Sequence, residues 1–277
     1  MIPTSTDSKN KYWRLTVRTD QPGVMGFYDL KKEDRDALVD EINRQIAADI
    51  TTGGSRYVRL YFSDRDTYIR KTAYQAIGRI YNAETTTQPG VIGMLNMLLK
   101  EADPKIRQTA INAAGEIGKS DFDIVKHFFD TGLFDEHHSV RNAVIGSMKK
   151  MGEKNPEPVI GWSRGYLLHP DKEVRREICH GIELRGRTHP EDILPLLKEL
   201  QHDKTKRVRS TLVHVIGQIS YKKGCLEKVM HEISTWDNIA LVAHAMEEII
   251  DVHDRYKNFS FYTQKEAQTY IGQFMVR

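Results

Sequence analysis

The side chains in this sequence best suited to bind a metal are its 11 histidines and 2 cysteines. Only one pair has a spacing that brings two of them together, His180 and His214, which are 34 residues apart. Glu177 and Glu183 stand near them as oxygen donors. A structural zinc site closes on three or four ligands, and the local sequence supplies no clear third histidine or cysteine. His137 and His138 are adjacent, and a helix or turn points adjacent side chains apart. Cys179 and Cys225 read as buried free thiols inside helices, not as a disulfide framework. No metal is therefore expected.

Other chemistry is equally sparse. The chain has no Gly-x-x-x-x-Gly-Lys phosphate loop, no Gly-x-Ser-x-Gly elbow and no Cys-x-x-Cys pair. No catalytic residue and no cofactor are expected. Composition bounds the rest. With 29% charged residues and no apolar run near the roughly 18–20 residues that span a bilayer, the chain reads as soluble with no membrane partner. No basic segment followed by an apolar stretch opens it, so a reducing cytoplasmic setting is expected.

Charge is uneven along the chain. Residues 1–139 carry 19 Lys/Arg against 20 Asp/Glu, residues 140–224 carry 17 against 10, and residues 225–277 carry 5 against 8. The middle block is the basic one, and a local field of that sign suits phosphates or acidic side chains.

The elements that position these groups follow from an internal period. A β-branched residue followed by Arg recurs as Ile69-Arg70, Ile106-Arg107, Val140-Arg141, Val174-Arg175 and Val208-Arg209, at spacings of 37, 34, 34 and 34. The next step lands on Val242-Ala243. Six residues before each of these positions stand Asp64, Glu101, Asp135, His169, Asp203 and Asp237. After each Arg, apolar residues at offsets +3, +4 and +7 mark one helical face: Ala73/Tyr74/Ile77, Ala110/Ile111/Ala114, Val144/Ile145/Met148, Ile178/Cys179/Ile182 and Leu212/Val213/Ile216. Met246/Glu247/Ile250 continues the stripe with one break. Offset +8 is Gly78, Gly115 and Gly217 in three repeats. Glycine costs about 1 kcal/mol inside a helix, so its recurrence implies close helix approach. A second apolar segment precedes each acid, with Pro156, Pro158 and Pro190 near two of the starts. Each unit is then helix A, a short turn bearing the acid, and helix B opening at the Arg.

This acid, Val/Ile-Arg and small-apolar pattern resembles the HEAT-repeat family, over residues 57–256. The resemblance implies an all-α, right-handed α-solenoid of about six HEAT-type helix pairs. It also implies that the Asp and Arg ladders tie successive turns together. His169 and Ala243 depart from the pattern, which puts one tie in doubt and marks a degenerate final repeat.

At the N-terminal end, Trp13, Leu15 and Val17 alternate with polar residues. Asp20-Gln21-Pro22-Gly23 then reads as a turn, and Val24-Met25-Gly26-Phe27-Tyr28 follows. A small β-hairpin is expected there, followed by a helix over residues 32–50 carrying Leu38, Ile42, Ile46 and Ile50. Residues 1–56 form a cap on this reading and residues 57–277 the repeat array, closed by a helix over 263–275.

In HEAT solenoids the B helices line the concave face. The resemblance therefore places there the +5 row (Gln75, Asn112, His180, His214) and the +1 row (Lys71, Gln108, Asn142, Arg176). Basic groups also gather at helix B ends and turns: Lys149, Lys150, Lys154, Arg185, Arg187, Lys204, Lys206, Arg207, Lys222 and Lys223. The two rows and these basic groups, apart from Lys149, Lys154 and Arg185, are the expected partner-binding set of fifteen residues. A non-enzymatic scaffold holding a protein or nucleic-acid partner is the leading expectation.

The alternative comes from a second resemblance. Residues 140–156 and 208–224 are similar in style to the HEAT-repeat alkylpurine DNA glycosylases, which implies DNA binding. That family uses an Asp a few positions after a Trp. Trp236-Asp237-Asn238-Ile239-Ala240 is the matching stretch, but Ala240 stands where a second acid belongs and the stretch lies near the C-terminus. Base excision is not carried over.

Overall fold

A computed structural model of the chain describes residues 26–275. Every regular element among them is helical. The first is a 3-10 turn at Phe27–Asp29, which corrects the expected second hairpin strand where it overlaps. Gly26 and Phe27 are held there by carboxylates, with the Gly26 N–H on Asp29 Oδ2 at 2.7 Å and the Phe27 N–H on Asp66 Oδ2 at 2.6 Å. Acceptors from a turn and from a helix cap thus replace a partner strand. The rest of the expected hairpin lies outside the described residues.

Chain contacts divide the molecule into two compact units. Unit 1 is Met1–Ile117 with Val125–Ala143, and unit 2 is Gly118–Ile124 with Val144–Arg277. In unit 1, α1 (Lys32–Thr52) buries Leu38, Ile42, Ile46 and Ile50 at the expected spacing. It packs against α2 (Arg56–Phe62), α3 (Thr67–Ala83) and α4 (Gln88–Leu98). Then come α5 (Pro104–Gly118), α6 (Phe122–Gly132) and α7 (His138–Lys154), which the division cuts: Gly118, the start of α6 and α7 from Val144 onward belong to unit 2.

Unit 2 continues with α8 (Pro156–Tyr166), α9 (Lys172–Gly181), α10 (Glu183–Gly186), α11 (Pro190–Glu199), α12 (Lys206–Gln218), α13 (Cys225–Ile233), α14 (Ile239–Arg255) and α15 (Gln264–Met275). Each acid position falls in the turn between a first and a second helix of a pair: α2/α3, α4/α5, α6/α7, α8/α9, α11/α12 and α13/α14. The second helices open three residues before the Arg, so the Arg lies in the first turn and its side chain reaches back over the acid's turn.

That reach explains the ladder. Arg70, Arg107, Arg141, Arg175 and Arg209 each donate from Nη1 to the backbone carbonyl six residues back, at 2.6, 2.9, 2.6, 2.7 and 2.5 Å. The acid side chain closes the same turn by accepting the N–H two residues on, as Asp64, Asp135 and Asp203 do from Asp66, His137 and Thr205. His169 performs that task with Nδ1, which accepts from Asp171 N–H at 3.1 Å.

The tie between repeats is a second role, made by Arg107 to Asp135 and by Arg175 to Asp203, each with two hydrogen bonds. Burial opposes ionisation of Asp135 and Asp203, but the guanidinium and backbone N–H bonds hold their carboxyls below the usual range.

The stripes pack as expected, and all three named residues of the first four repeats are buried. In α14 the break at Glu247 is exposed, and Ala245, Met246, Ile249 and Val252 carry the buried face. A Cβ on Gly78 would lie 2.6 Å from Glu116 Cβ, and one on Gly217 would lie 2.5 Å from Glu248 Cγ. Both columns mark close approach of successive second helices. Thr263 and Glu266 cap α15 reciprocally, and its Ala267 and Ile271 are buried. No described helix is long and apolar enough to cross a membrane.

Candidate functional site: the polar column of unit 2

Second helices one repeat apart place equivalent side chains side by side. In unit 2 this produces one polar cluster on α7, α9, α10, α12 and α14. Its centre is Glu183, 1% exposed. Glu183 stands at offset +8 from Arg175, and Lys149 stands at offset +8 from Arg141. In this column other repeats carry glycine.

The Lys149 ammonium lies 2.9 Å from His180 Nε2 and donates to Glu183 Oε2 at 3.1 Å, and the two acceptor atoms are 3.2 Å apart. Arg187 donates to the other carboxylate oxygen at 2.5 Å and to Gln218 Oε1 at 2.8 Å. Burial alone would raise the Glu183 pKa, but its contact with His180 and the charges of Lys149 and Arg187 bring it down to about 2.

The row continues through His214, whose ring centroid is 6.0 Å from that of His180 in an edge-on arrangement. His214 Nδ1 lies 3.6 Å from Glu248 Oε1, which Arg255 also holds. Burial pushes the His214 pKa below the ordinary imidazole value.

His180, Glu183 and His214 each bring a ligand atom within 4.8 Å of the others. The arrangement fits a metal poorly. The Lys149 ammonium already lies between His180 and Glu183, where a bridging cation would sit, and Lys149 and Arg187 are both held to the carboxylate. Zinc needs about 2.0–2.2 Å to nitrogen and oxygen and a third or fourth ligand.

The remaining expected residues separate into groups. His180, His214 and Arg187 belong to this cluster. Arg176 and Arg207 converge on Glu173, at 2.9 and 3.3 Å. Lys204, Lys206, Lys222 and Lys223 are exposed at the ends of α12 and in the following turn, and Lys150 is half-buried on α7. In unit 1, Lys71 on α3 and Asn142 on α7 are exposed, while Gln75, Gln108 and Asn112 are half-buried on α3 and α5.

The sequence reading missed Lys149 and Glu183 as a pair. Their signal was present: opposite charges 34 residues apart in the glycine column must meet. Gln218 carried no such signal. At the far end, Trp236 is buried, with its indole N–H on Glu232. The Asp237 carboxylate is 78% exposed and bonds His202 at 2.8 Å.

A helix pair, an acid-bearing turn and an Arg that locks it, repeated in phase, are similar to the units of HEAT-type repeats. A family model described as "non-SMC mitotic condensation complex subunit 1" matches residues 49–135 of this chain, less than a third of its length. No curated protein matches the sequence.

Among solved structures, the chain is similar to the MAST/Orbit N-terminal domain, with 15% identity and a TM-score of 0.48, over 69% of this chain and 94% of that one. It is also similar to a chain of the Pds5–Scc1 complex, with 15% identity and a TM-score of 0.48, over 89% of this chain and 43% of that one. A TOG domain of Crescerin, whose array regulates microtubules in the primary cilium, gives 15% identity and a TM-score of 0.45, over 74% and 88%.

Proposed function

We propose that this chain is a non-enzymatic scaffold that holds a protein partner. The contact surface consists of exposed and half-buried polar positions of the second helices and the basic rim: Lys71, Gln75, Gln108, Asn112, Asn142, Lys150, Arg176, His180, Arg187, Lys204, Lys206, Arg207, His214, Lys222 and Lys223. On the same reading residues 1–56 cap the repeat array of residues 57–277.

The observation that carries the choice of a protein over a polyanion is how the basic block disposes of its charge. Lys149 and Arg187 neutralise Glu183, Arg176 and Arg207 share Glu173, Arg185 holds Asp192, and Arg175 holds Asp203. Cations held by internal carboxylates have little left to release counterions from a phosphate backbone. What stays accessible is mixed: separate lysines, amides, imidazoles and a few aromatic rings. Protein partners present complementary surfaces of that kind.

A photo-crosslinking side chain placed at Lys204 or Lys206 in the native cell tests the reading. Adducts that protease destroys and nuclease spares are expected. Nuclease-sensitive adducts, or none at either position, overturn it.

A further inference from the structure

The loop between α14 and α15 exposes two aromatic rings that the repeat packing does not use. Phe259 is 75% exposed and Phe261 51%. Their backbone is nevertheless fixed. Phe261 N–H donates to Tyr221 O at 2.9 Å, Phe259 N–H donates to Tyr256 O at 2.7 Å, and the Tyr221 and Tyr256 rings stack with centroids 5.1 Å apart. Opposite them the turn after α12 bears Lys222 and Lys223, both exposed, and reverses at Gly224 with φ of 74°. Lys223 Nζ lies 5.6 Å from the Phe261 ring centroid.

These two segments, with Arg187 and Thr188, enclose an open pocket of about 470 Å³. Its lining holds three cations, two phenyl rings and two hydroxyls, and no carboxylate. Arg187 is already held by Glu183, which leaves Lys222 and Lys223 as the uncompensated charge; an apolar wall beside it selects a ligand with an apolar side chain next to negative charge.

Two kinds of polymer have that chemistry, and the placement of the cations separates them. A single-stranded nucleic acid needs a basic groove that tracks its backbone over several nucleotides. Here the exposed lysines of the lining, Lys222 and Lys223, are neighbours in a single turn; the exposed Lys228 and Lys257 nearby lie outside the lining, and Lys228 is held by Glu191 at 3.0 Å. A peptide needs only a local match. The chain's own first 25 residues carry four Lys/Arg against two Asp, which is the wrong sign for this pocket.

We propose that the pocket docks a short acidic peptide of a partner protein. One aromatic or aliphatic side chain lies against Phe259 and Phe261, and its flanking carboxylates face Lys222 and Lys223. The inference rests on the protein-scaffold reading and names its ligand class.

The probe is a set of fluorescein-labelled octapeptides with Phe, Trp or Leu near the centre and Asp or Glu at the other positions. Binding is followed by polarisation to the full chain. The expected result is saturable binding that weakens at least tenfold in K222E/K223E and in F259S, with melting temperatures unchanged. Binding must also weaken when the central residue becomes Ala or the acids become Lys. The proposal is overturned by no binding at millimolar peptide, by equal affinity in the two variants, or by a 20-nucleotide single strand that outcompetes the peptides at this pocket. Protease-sensitive crosslinks at Lys204 or Lys206 that persist through such a failure would leave the scaffold reading standing and remove only this pocket.

Discussion

At the scale of single residues, Glu183 illustrates how a buried charge is made tolerable. An isolated carboxylate out of water costs several kcal/mol, and a well-bonded pair of cations offsets that cost without necessarily exceeding it. Removing the carboxylate while leaving its partners is a different matter, because Lys149 and Arg187 would keep their charge with no counter-ion. Glu183→Gln preserves shape and should destabilise unit 2 by about 3 kcal/mol, the low end for a broken buried pair, since both cations retain some solvent contact. Urea unfolding measures this.

The pH dependence has a definite sign. The Glu183 pKa is depressed to about 2 from an unfolded value near 4.3. Its stabilisation is therefore complete above about pH 4.5 and is lost as pH falls toward 2. Wild type should show that acid limb, and Glu183→Gln should lack its share of it. Parallel curves for the two proteins below pH 4.5 would refute the assignment.

At the scale of elements, the distance between second helices is set by small residues, and two glycines give opposite predictions. Gly217 in α12 has Glu248 Cγ, Val252 Cγ2 and the Glu248 backbone carbonyl where a Cβ would go. Gly161 in α8 has nothing within 4 Å. Both substitutions to Ala gain helix propensity, about 1 kcal/mol. Only Gly217→Ala adds overpacking, which costs roughly 1–3 kcal/mol. Gly161→Ala should therefore raise the melting temperature by a few degrees and Gly217→Ala should lower it or leave it unchanged. A clear rise in Gly217→Ala would show that α12 and α14 are not in close contact there.

The same comparison shows how far the sequence could be read. The helix pairs and the buried stripe follow from period 3.6 within period 34, and the first helix with its four apolar residues and the closing helix follow from period 3.6 alone. The hairpin expectation failed at Phe27 and Tyr28 because alternation was weighed without the carboxylates of Asp29 and Asp66, which take the backbone N–H groups a strand would have offered. The ladder was half-legible. Its residues were evident, but the main use of the Arg, a bond to its own turn's carbonyl, involves a backbone atom that no residue type announces. His169 looked like a defect for the same reason, although its ring nitrogen accepts the turn's N–H as an Asp would.

At the scale of the whole molecule, formal charge overstates what a polyanion would meet. The block of residues 140–224 carries seven more cations than anions, yet most of its arginines are bonded to carboxylates or carbonyls. Lys204, Lys206, Lys222 and Lys223 are exposed and make no ion pair among the described residues. If those four are the phosphate contacts, affinity for a 20-base-pair duplex should fall with salt at a log–log slope no steeper than about −3.6, from 0.9 per contact. Between 50 and 200 mM salt that is a loss of at most about 150-fold, and replacing the four lysines with Gln should abolish what binding exists. A slope near −8 would need about nine phosphate contacts, so that cations such as the exposed Lys154, Arg164 and Lys172, or those now held by Glu173 and Glu183, would have to join the four lysines. That result would transfer the basic block from the interior electrostatics of the repeats to a nucleic-acid surface, and the protein-scaffold reading would fall with it.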